Sequence, residues 1–336
     1  MNGHLASIAA LASLWLALIA LVALVTRILW PWVARASRGW DPEDRARVAF
    51  LAAVAPVLVP SAVVVLCALP GIAGLLTGAG DHCIGHGDHP HFCPVHATLA
   101  MTPLLGVAFA GFTALIITLS VRTALAFRAI VREQRWLVRR RAEDLAPGIH
   151  LLTDETPLAL THGLRSPGIW ISQSLFTALS EVEREVVISH ERAHATRRDP
   201  ARLLAASIAS TLHLPRIRAA LLCELRVRSE QACDARAADE IGDRLQVASA
   251  LLRVERLMGH ASCPVAFASS VVDSNLPARI EALLWPQAPP RDRRVVRQAA
   301  WILATVPLLL ASPVHHLAEH VLEALLRSMV GLHLLS

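Results

Sequence analysis

The chain contains no lysine and no tyrosine. Every basic side chain is therefore Arg or His, and this restricts the groups that can steady a developing oxyanion. Aromatic residues make up only 4% and charged residues 18% of the 336 positions, against 54% hydrophobic ones. That balance is too apolar for an ordinary soluble protein. Charge is missing altogether over three long runs: Leu5–Thr26, Val48–Thr77 (with Pro56, Pro60 and Pro70 inside) and Ala97–Val121 (with Pro103). Each is long enough to cross a hydrocarbon core of ~30 Å as a helix. Gln298–Val314 is a fourth candidate at the short limit, with Pro307 and Pro313 inside, and a buried core helix is its alternative. No Lys or Arg precedes the first run, so it is not expected to be a cleavable signal peptide. The three long runs hold none of the ionisable groups that a transporter would be expected to carry there, and no internal repeat is visible.

Arginine is plentiful, and its placement sets an orientation. Arg27, Arg35, Arg38, Arg45 and Arg47 follow the first run, whereas Gly78–His96 has no arginine. Arg122, Arg128, Arg132, Arg135, Arg139, Arg140 and Arg141 follow the third run; Arg291, Arg293, Arg294 and Arg297 precede the fourth; only Arg327 lies beyond it. The expectation is an outer N-terminus, Arg27–Arg47 inside, Gly78–His96 outside, Arg122–Arg297 inside and an outer tail. The formal charge of +5 is explained by these arginines beside membrane spans better than by a nucleic-acid surface.

The cysteines divide by compartment on this scheme. Cys83 and Cys93 share the outer loop, where a disulfide is favoured. Cys67 lies in a span, and Cys223, Cys233 and Cys263 face a reducing interior. None has CxxC spacing. The same loop carries His82, His86, His89, His91 and His96, which could bind a metal ion; the plainer reading, a polar loop stapled by its disulfide, is slightly preferred.

Between the third and fourth runs, Arg122–Arg141 reads as a basic helix that Pro147-Gly148 breaks. Ile149–Thr153 and Gly168–Ser172 read as short strands. Ser180-Glu181-Val182-Glu183 is a capping box that opens a helix ending near Arg198. Asp199-Pro200 reads as the N-cap and first residue of the next helix. A third helix is expected over about Arg216–Glu240 and a fourth near Leu245–Met258.

The first of these helices carries His190-Glu191-Arg192-Ala193-His194, an HExxH motif. Two imidazoles four positions apart share one helix face and can grip one Zn²⁺. A catalytic zinc needs a third protein ligand. Glu230 is the favoured candidate, because Asp234 lies one turn beyond it and could accept the free N–H of a ligand histidine. Glu224 is a rival that lacks such a neighbour. Glu191 points about 100° away from His190 around the helix and is read as the general base toward water, then as proton donor to the leaving amine. Zinc would lower the pKa of water and polarise the scissile carbonyl. His162 and Arg228 are candidate oxyanion donors, with no choice between them. Gly168–Ser172 could hold an extended substrate by pairing at its edge. Against all this stands an ordinary charged helix face, which the capped helix and the Glu230/Asp234 spacing disfavour.

These motifs resemble the BlaR/MecR-type integral-membrane zinc peptidases, the antirepressor sensors of β-lactam resistance. The likeness rests on His190–His194 followed by Arg197-Arg198-Asp199, on Glu230-Gln231-Ala232-Cys233-Asp234, and on Arg279-Ile280-Glu281-Ala282-Leu283-Leu284. The order of three spans, a peptidase and a fourth span matches too, over roughly residues 1–315. The resemblance implies His190, His194 and Glu230 as zinc ligands and Glu191 as the catalytic glutamate. It also implies a cytoplasmic DNA-binding repressor as the downstream target, sometimes with self-cleavage. The family's β-lactam sensors carry a penicillin-binding domain with a Ser-x-x-Lys nucleophile after the fourth span. Here His315–Ser336 follow and there is no lysine, so β-lactam acylation is not expected of this chain.

The expected fold is mainly α: four transmembrane helices with a cytoplasmic, gluzincin-like α+β zinc-peptidase domain between the third and fourth. The divisions are 1–128 (three spans and the His-rich loop 78–96), 129–297 (peptidase) and 298–336 (fourth span and outer tail). The expected setting is the inner (plasma) membrane, and the expected cofactor is Zn²⁺. The expected partners are a protein substrate and the lipid bilayer, with no direct nucleic acid. A homodimer is admitted, not required. The alternative function is a non-enzymatic metal-responsive membrane sensor that uses the His-rich loop.

Overall fold

The computed structural model describes residues 2–77, 101–259, 269–270, 276–285 and 305. Among the described residues, three helices are long and apolar enough to cross a membrane: Leu5–Ala36 within α1 (Asn2–Ala36), Pro42–Ala68 within α2 (Pro42–Thr77), and all of α3 (Pro103–Arg139). The outer loop with Cys83, Cys93 and its histidines lies outside the described residues, as does the fourth candidate span apart from residue 305.

The chain divides into two compact units. The first comprises Met1–Ile28, Ala55–Ser120 and Arg294–Ser336. Its helices meet through small residues: Ala6, Ala9 and Ala10 pack with Leu105, the close approach that favours helix association where lipid gives no hydrophobic drive. Trp15 donates its indole N–H to Ser61 Oγ at 3.1 Å and takes the edge of Phe112 at 5.5 Å. Hydroxyls inside the apolar runs bond back along their own helix, Ser13 to the Ala9 carbonyl at 2.7 Å and Thr118 to that of Ala114 at 2.8 Å. Such back-bonding leaves no polar group to be satisfied by solvent. Leu24, Val107 and Ile117 point outward, as lipid-facing positions should.

The second unit comprises Leu29–Val54 and Val121–Arg293. It holds a mixed sheet of β1 (Arg141–Ala146), β2 (Ile149–Leu152), β3 (Ala159–His162), β4 (Gly168–Ser172) and β5 (Ser269–Ser270), in the spatial order β1-β2-β4-β3-β5. Only β2 and β4 are parallel. Gly148, at φ 78°, makes the tight turn from β1 to β2, a backbone region that glycine enters without a Cβ penalty. The basic helix ends at Arg139, two residues earlier than its sequence suggests, because Arg141–Ala146 turns back and pairs with Ile149–Leu152. Strand β4 is internal, bonded to β2 on one side and β3 on the other. This corrects the expectation that Gly168–Ser172 offers a free edge to a substrate: its backbone groups are already used. Next to it lies β3, and Ser269–Ser270 of β5 pairs in turn with Leu160 and Thr161, so β1 and β5 are the outer strands of this sheet.

The helices that follow are α4 (Gln173–Ala178), α5 (Glu181–Arg197), α6 (Asp199–Ala209), α7 (Pro215–Ile241), α8 (Arg244–Met258) and α9 (Leu276–Leu284). Helix α5 is a middle layer. Val187 packs with Leu160, Ile171 and Leu175 on the sheet side, while Val186 packs with Ala237, Val247, Leu251 and Leu283 of α7–α9. Each such buried Val or Leu contributes about 1.5–3 kcal/mol, so the HExxH helix is clamped from both faces. The start of α2 also belongs to this unit: Ala46, Ala49 and Ala53 pack with Ala206, Leu221 and Leu225 of α6 and α7.

Candidate metal centre

Helix α5 begins with the capping box read from the sequence. Ser180 Oγ accepts from the Glu183 backbone N–H, and the Glu183 carboxylate accepts from Ser180 N at 2.8 Å. The box fixes the helix phase, and three turns later His190 and His194 face α7. Both rings are buried. Their Nε2 atoms lie 3.2 Å apart. Glu230 reaches them from α7: Oε2 is 3.4 Å from His190 Nε2 and Oε1 is 3.5 Å from His194 Nε2. Donors held ~2.0–2.1 Å from a tetrahedral ion lie roughly 3.3 Å apart; the ring nitrogens have that spacing, and Glu230 turns one carboxylate oxygen to each ring at a similar distance, so the group suits one divalent ion.

The outer nitrogens decide the tautomers. His190 Nδ1 faces Asp234 Oδ1 at 2.9 Å, and His194 Nδ1 faces Asp199 Oδ2 at 2.8 Å. A carboxylate only accepts, so these partners favour hydrogen on Nδ1, through a hydrogen bond at His194 and by proximity at His190; in the neutral rings both Nε2 atoms then present lone pairs to each other. Facing lone pairs at that separation repel unless a proton or a cation lies between them. The donor set therefore calls for positive charge at its centre. Burial pushes both imidazoles toward the neutral form. The Asp234 and Glu230 contacts outweigh it at His190, which stands above its ordinary pKa, and Cys233, Glu230 and Asp199 together hold His194 well above. Glu230 shows the converse. Burial would raise it, yet the His194 and Arg279 charges hold it well below the usual carboxylate range.

Asp234 is one turn beyond Glu230 on α7, as its spacing predicts. It is held by a group that the sequence left without a role, Arg279 of α9. Nε donates to Oδ2 at 2.7 Å and Nη2 to Oδ1 at 2.6 Å, a bidentate fork. Nη1 also lies 3.3 Å from Glu230 Oε2. Asp199 is the counterpart behind His194. Its sequence position suggested an N-cap. Instead Arg198, in the left-handed region at φ 54°, occupies the cap position, and the Asp199 carboxylate turns back to His194, Arg197 and Arg202. Burial would raise its pKa, but the His194 bond and the Arg197 charge bring it down to about 2.

Glu191 projects to another side. Thr161 Oγ1 of β3 lies 2.7 Å from Glu191 Oε2 and 2.8 Å from its backbone carbonyl. Oε1 is buried and makes no hydrogen bond among the described residues. Burial raises the pKa of this carboxyl, more than the neighbouring histidines lower it. A narrow apolar cavity lies beside Glu191 and His190, lined by Val186, Val187, Ala250, Leu251 and Val254.

A second group of metal-binding types, His194, Asp199 and Cys233, is also close. It is better read as support for the first. Asp199 is saturated by three donors, and burial pushes the Cys233 thiol up to about 11, so it stays protonated. Other sequence candidates sit elsewhere. Glu224 pairs with Arg45 and accepts from Arg228 Nε at 2.9 Å. Arg228 is further committed to Gln231 at 2.6 Å. His162 bonds Gln134 at 2.8 Å and lies 3.4 Å from Glu133. Thr161 has no role in the sequence reading, and Arg197, Asp199 and Arg279 have places there only in motifs, Asp199 also as an N-cap, with no contact to the site. The Asp199 signal was present, because a carboxylate soon after an HExxH helix can return to the second histidine; the Asp-Pro pair hid it.

Residues 92–283, more than half of the chain, match the family model described as BlaR1 peptidase M56. The chain belongs to that family. It is a membrane metallopeptidase of the BlaR1 type, with three membrane-length helices and a small sheet beside the helical layer. The family implies a metal cofactor, and His190, His194 and Glu230 form a buried group able to hold one. No curated protein matches the sequence.

Proposed function

We propose that this M56 chain is a gluzincin-type zinc endopeptidase that cuts a cytoplasmic protein as part of signal transduction. His190, His194 and Glu230 hold the zinc, and Asp234 and Asp199 orient the two rings. The observation that carries this reading is the buried convergence of the two ring nitrogens, 3.2 Å apart, with the two oxygens of the Glu230 carboxylate, one at 3.4 Å from His190 and the other at 3.5 Å from His194. Zinc would supply Lewis acidity toward the scissile carbonyl and toward water. Glu191 takes the proton from the attacking water and later gives it to the leaving amine. Burial raises its pKa, the direction that helps it hold the proton between the two duties. Thr161 aims the carboxylate. The narrow apolar cavity beside Glu191 favours a small apolar side chain next to the cut bond.

The arginine asymmetry supports an inner-membrane topology with an outer N-terminus, four spans and the peptidase on the cytoplasmic side. The family likeness supports a DNA-binding repressor, or the chain itself, as substrate. Two measurements test the reading. Metal analysis of the detergent-purified chain should find one zinc, lost in His194→Ala and Glu230→Ala; retention in either removes that residue from the ligand set. New protein N-termini in cells expressing the wild type should vanish with Glu191→Gln, which keeps its zinc. An unchanged set of cleavage products would refute the assigned base.

A further inference from the structure

Behind Asp199 lies a second carboxylate that the proposed chemistry does not use. Glu43 sits in the first turn of α2, where the apolar run of that helix begins. Its carboxylate pairs with Arg197, accepts from Arg47 Nε at 2.9 Å and lies 3.8 Å from Arg202 Nη1. Arg197 Nε donates to Asp199 Oδ2 at 2.9 Å, and Arg202 Nη1 donates to Oδ1 at 3.1 Å. Asp199 Oδ2 is the atom that accepts His194 Nδ1–H at 2.8 Å. Two guanidiniums thus stand between two carboxylates. One carboxylate fixes a ring of the metal centre; the other begins a membrane-length helix. Arg197 also extends Nη2 to within 3.5 Å of Ser229 Oγ, next to Glu230. Its side chain is only 6% exposed, so its charges are weakly screened.

Arg47 also reaches Asp44 at 3.5 Å, so the group sets three guanidiniums, Arg47, Arg197 and Arg202, against three carboxylates, Glu43, Asp44 and Asp199. Without Glu43 the guanidiniums outnumber the carboxylates, and the excess positive charge lies two hydrogen bonds from a ring that must bind a divalent cation. Asp199 would also be drawn toward Arg197 and away from His194. Both effects act in one direction, against the ion.

We infer that Glu43 and Arg197 are a positioning pair for His194, through which the start of α2 sets the affinity of the centre for its metal. This rests on the ligand assignment above. The pair touches neither substrate nor metal. It acts through Asp199.

The test uses the full-length chain in detergent, with zinc affinity read by chelator competition and unfolding read by thermal denaturation. Glu43→Gln and Arg197→Gln should each weaken zinc several-fold, less than the ~10-fold or more expected for losing a residue that directly orients a ligand. The double variant should lose clearly less than the product of the two single effects, because Glu43 pairs with Arg197 and reaches Arg202, the other guanidinium on Asp199, only at 3.8 Å. Arg197→Lys should recover part of the affinity. Arg45→Gln breaks the Arg45–Glu224 pair, which docks the same helix on α7; the contacts of that pair run on to Arg228 and Gln231 and include neither Asp199 nor a ligand side chain. It should lower the unfolding temperature and leave zinc affinity in place. An unmoved affinity in Glu43→Gln overturns the inference. So does an equal loss in Arg45→Gln, or single effects that multiply in the double variant. Should Arg197→Gln fail to fold, the contrast between Glu43→Gln and Arg45→Gln decides alone. A wild type that binds no zinc, or a His194→Ala chain that binds it equally, overturns the ligand assignment and this inference with it; a failure of Glu43→Gln alone leaves that assignment standing.

Discussion

Thr161 Oγ1 lies within hydrogen-bond reach of both the carbonyl and the carboxylate of Glu191, so one hydroxyl proton is shared between the helix and its reactive side chain. Replacing it with valine keeps the shape and removes the donor. A hydrogen bond to a charged group is worth about 1.5–3 kcal/mol, which corresponds to about 10- to 100-fold in kcat/KM. Thr161→Val should show that loss in a peptide-cleavage assay with its zinc content intact; a coincident loss of zinc would mean that the threonine supports the fold of α5 instead. The histidines give a pH dependence. In the metal-free chain their protonated forms are favoured, His194 strongly, so an incoming ion must displace protons. Affinity should therefore rise as pH climbs above the ordinary histidine pKa of 6.5, with proton release on binding. Chelator competition over a series of rising pH checks it, and a flat profile would contradict it. Arg198 offers a third residue-level test. A left-handed conformation costs a non-glycine residue about 1–2 kcal/mol. Arg198→Gly should keep or raise the unfolding temperature, and a β-branched residue there should lower it.

At the scale of elements, the sequence was informative where chemistry is local. Ser180 and Glu183 announced the start of α5, and Glu230 and Asp234 declared a shared face of α7 by their spacing. Strand β4 was read at the residues it occupies. Two other strands were hidden for physical reasons. Arg141–Ala146 is largely exposed and charged, so it lacks the apolar alternation that marks a strand and owes its form to pairing with β2. Ala159–His162 is buried along its whole length, too short a run to tell from other buried segments. The role of α9 was also out of reach, since nothing local connects Arg279 with an aspartate 45 residues earlier. That contact is testable. Arg279→Leu would leave Asp234 and Glu230 buried beside each other without their cation. Breaking a buried pair in this way costs about 3–5 kcal/mol. A fall in unfolding temperature with lost zinc is the expected outcome, and thermal denaturation measures it.

At the scale of the whole molecule, the apolar runs were plain from the absence of charge, and the three described long helices coincide with them. The site was legible in outline because HExxH is a local motif. Its supports were not, because Asp199, Thr161 and Arg279 reach it across turns and from other elements. The orientation proposed from arginine placement has its own check. A reporter that is active only in the cytoplasm, fused near Ala261, should be active; activity only of a periplasmic reporter there would reverse the scheme.

The order in which the centre's parts occur along the chain has a consequence for synthesis. Both histidines leave the ribosome before Glu230, and Glu230 leaves before the arginine that braces it and its neighbour Asp234. A nascent chain with its first three helices made still has only part of the cradle. Hydrolytic power therefore arrives late in translation, which shields both the emerging polypeptide and its surroundings from a half-built protease.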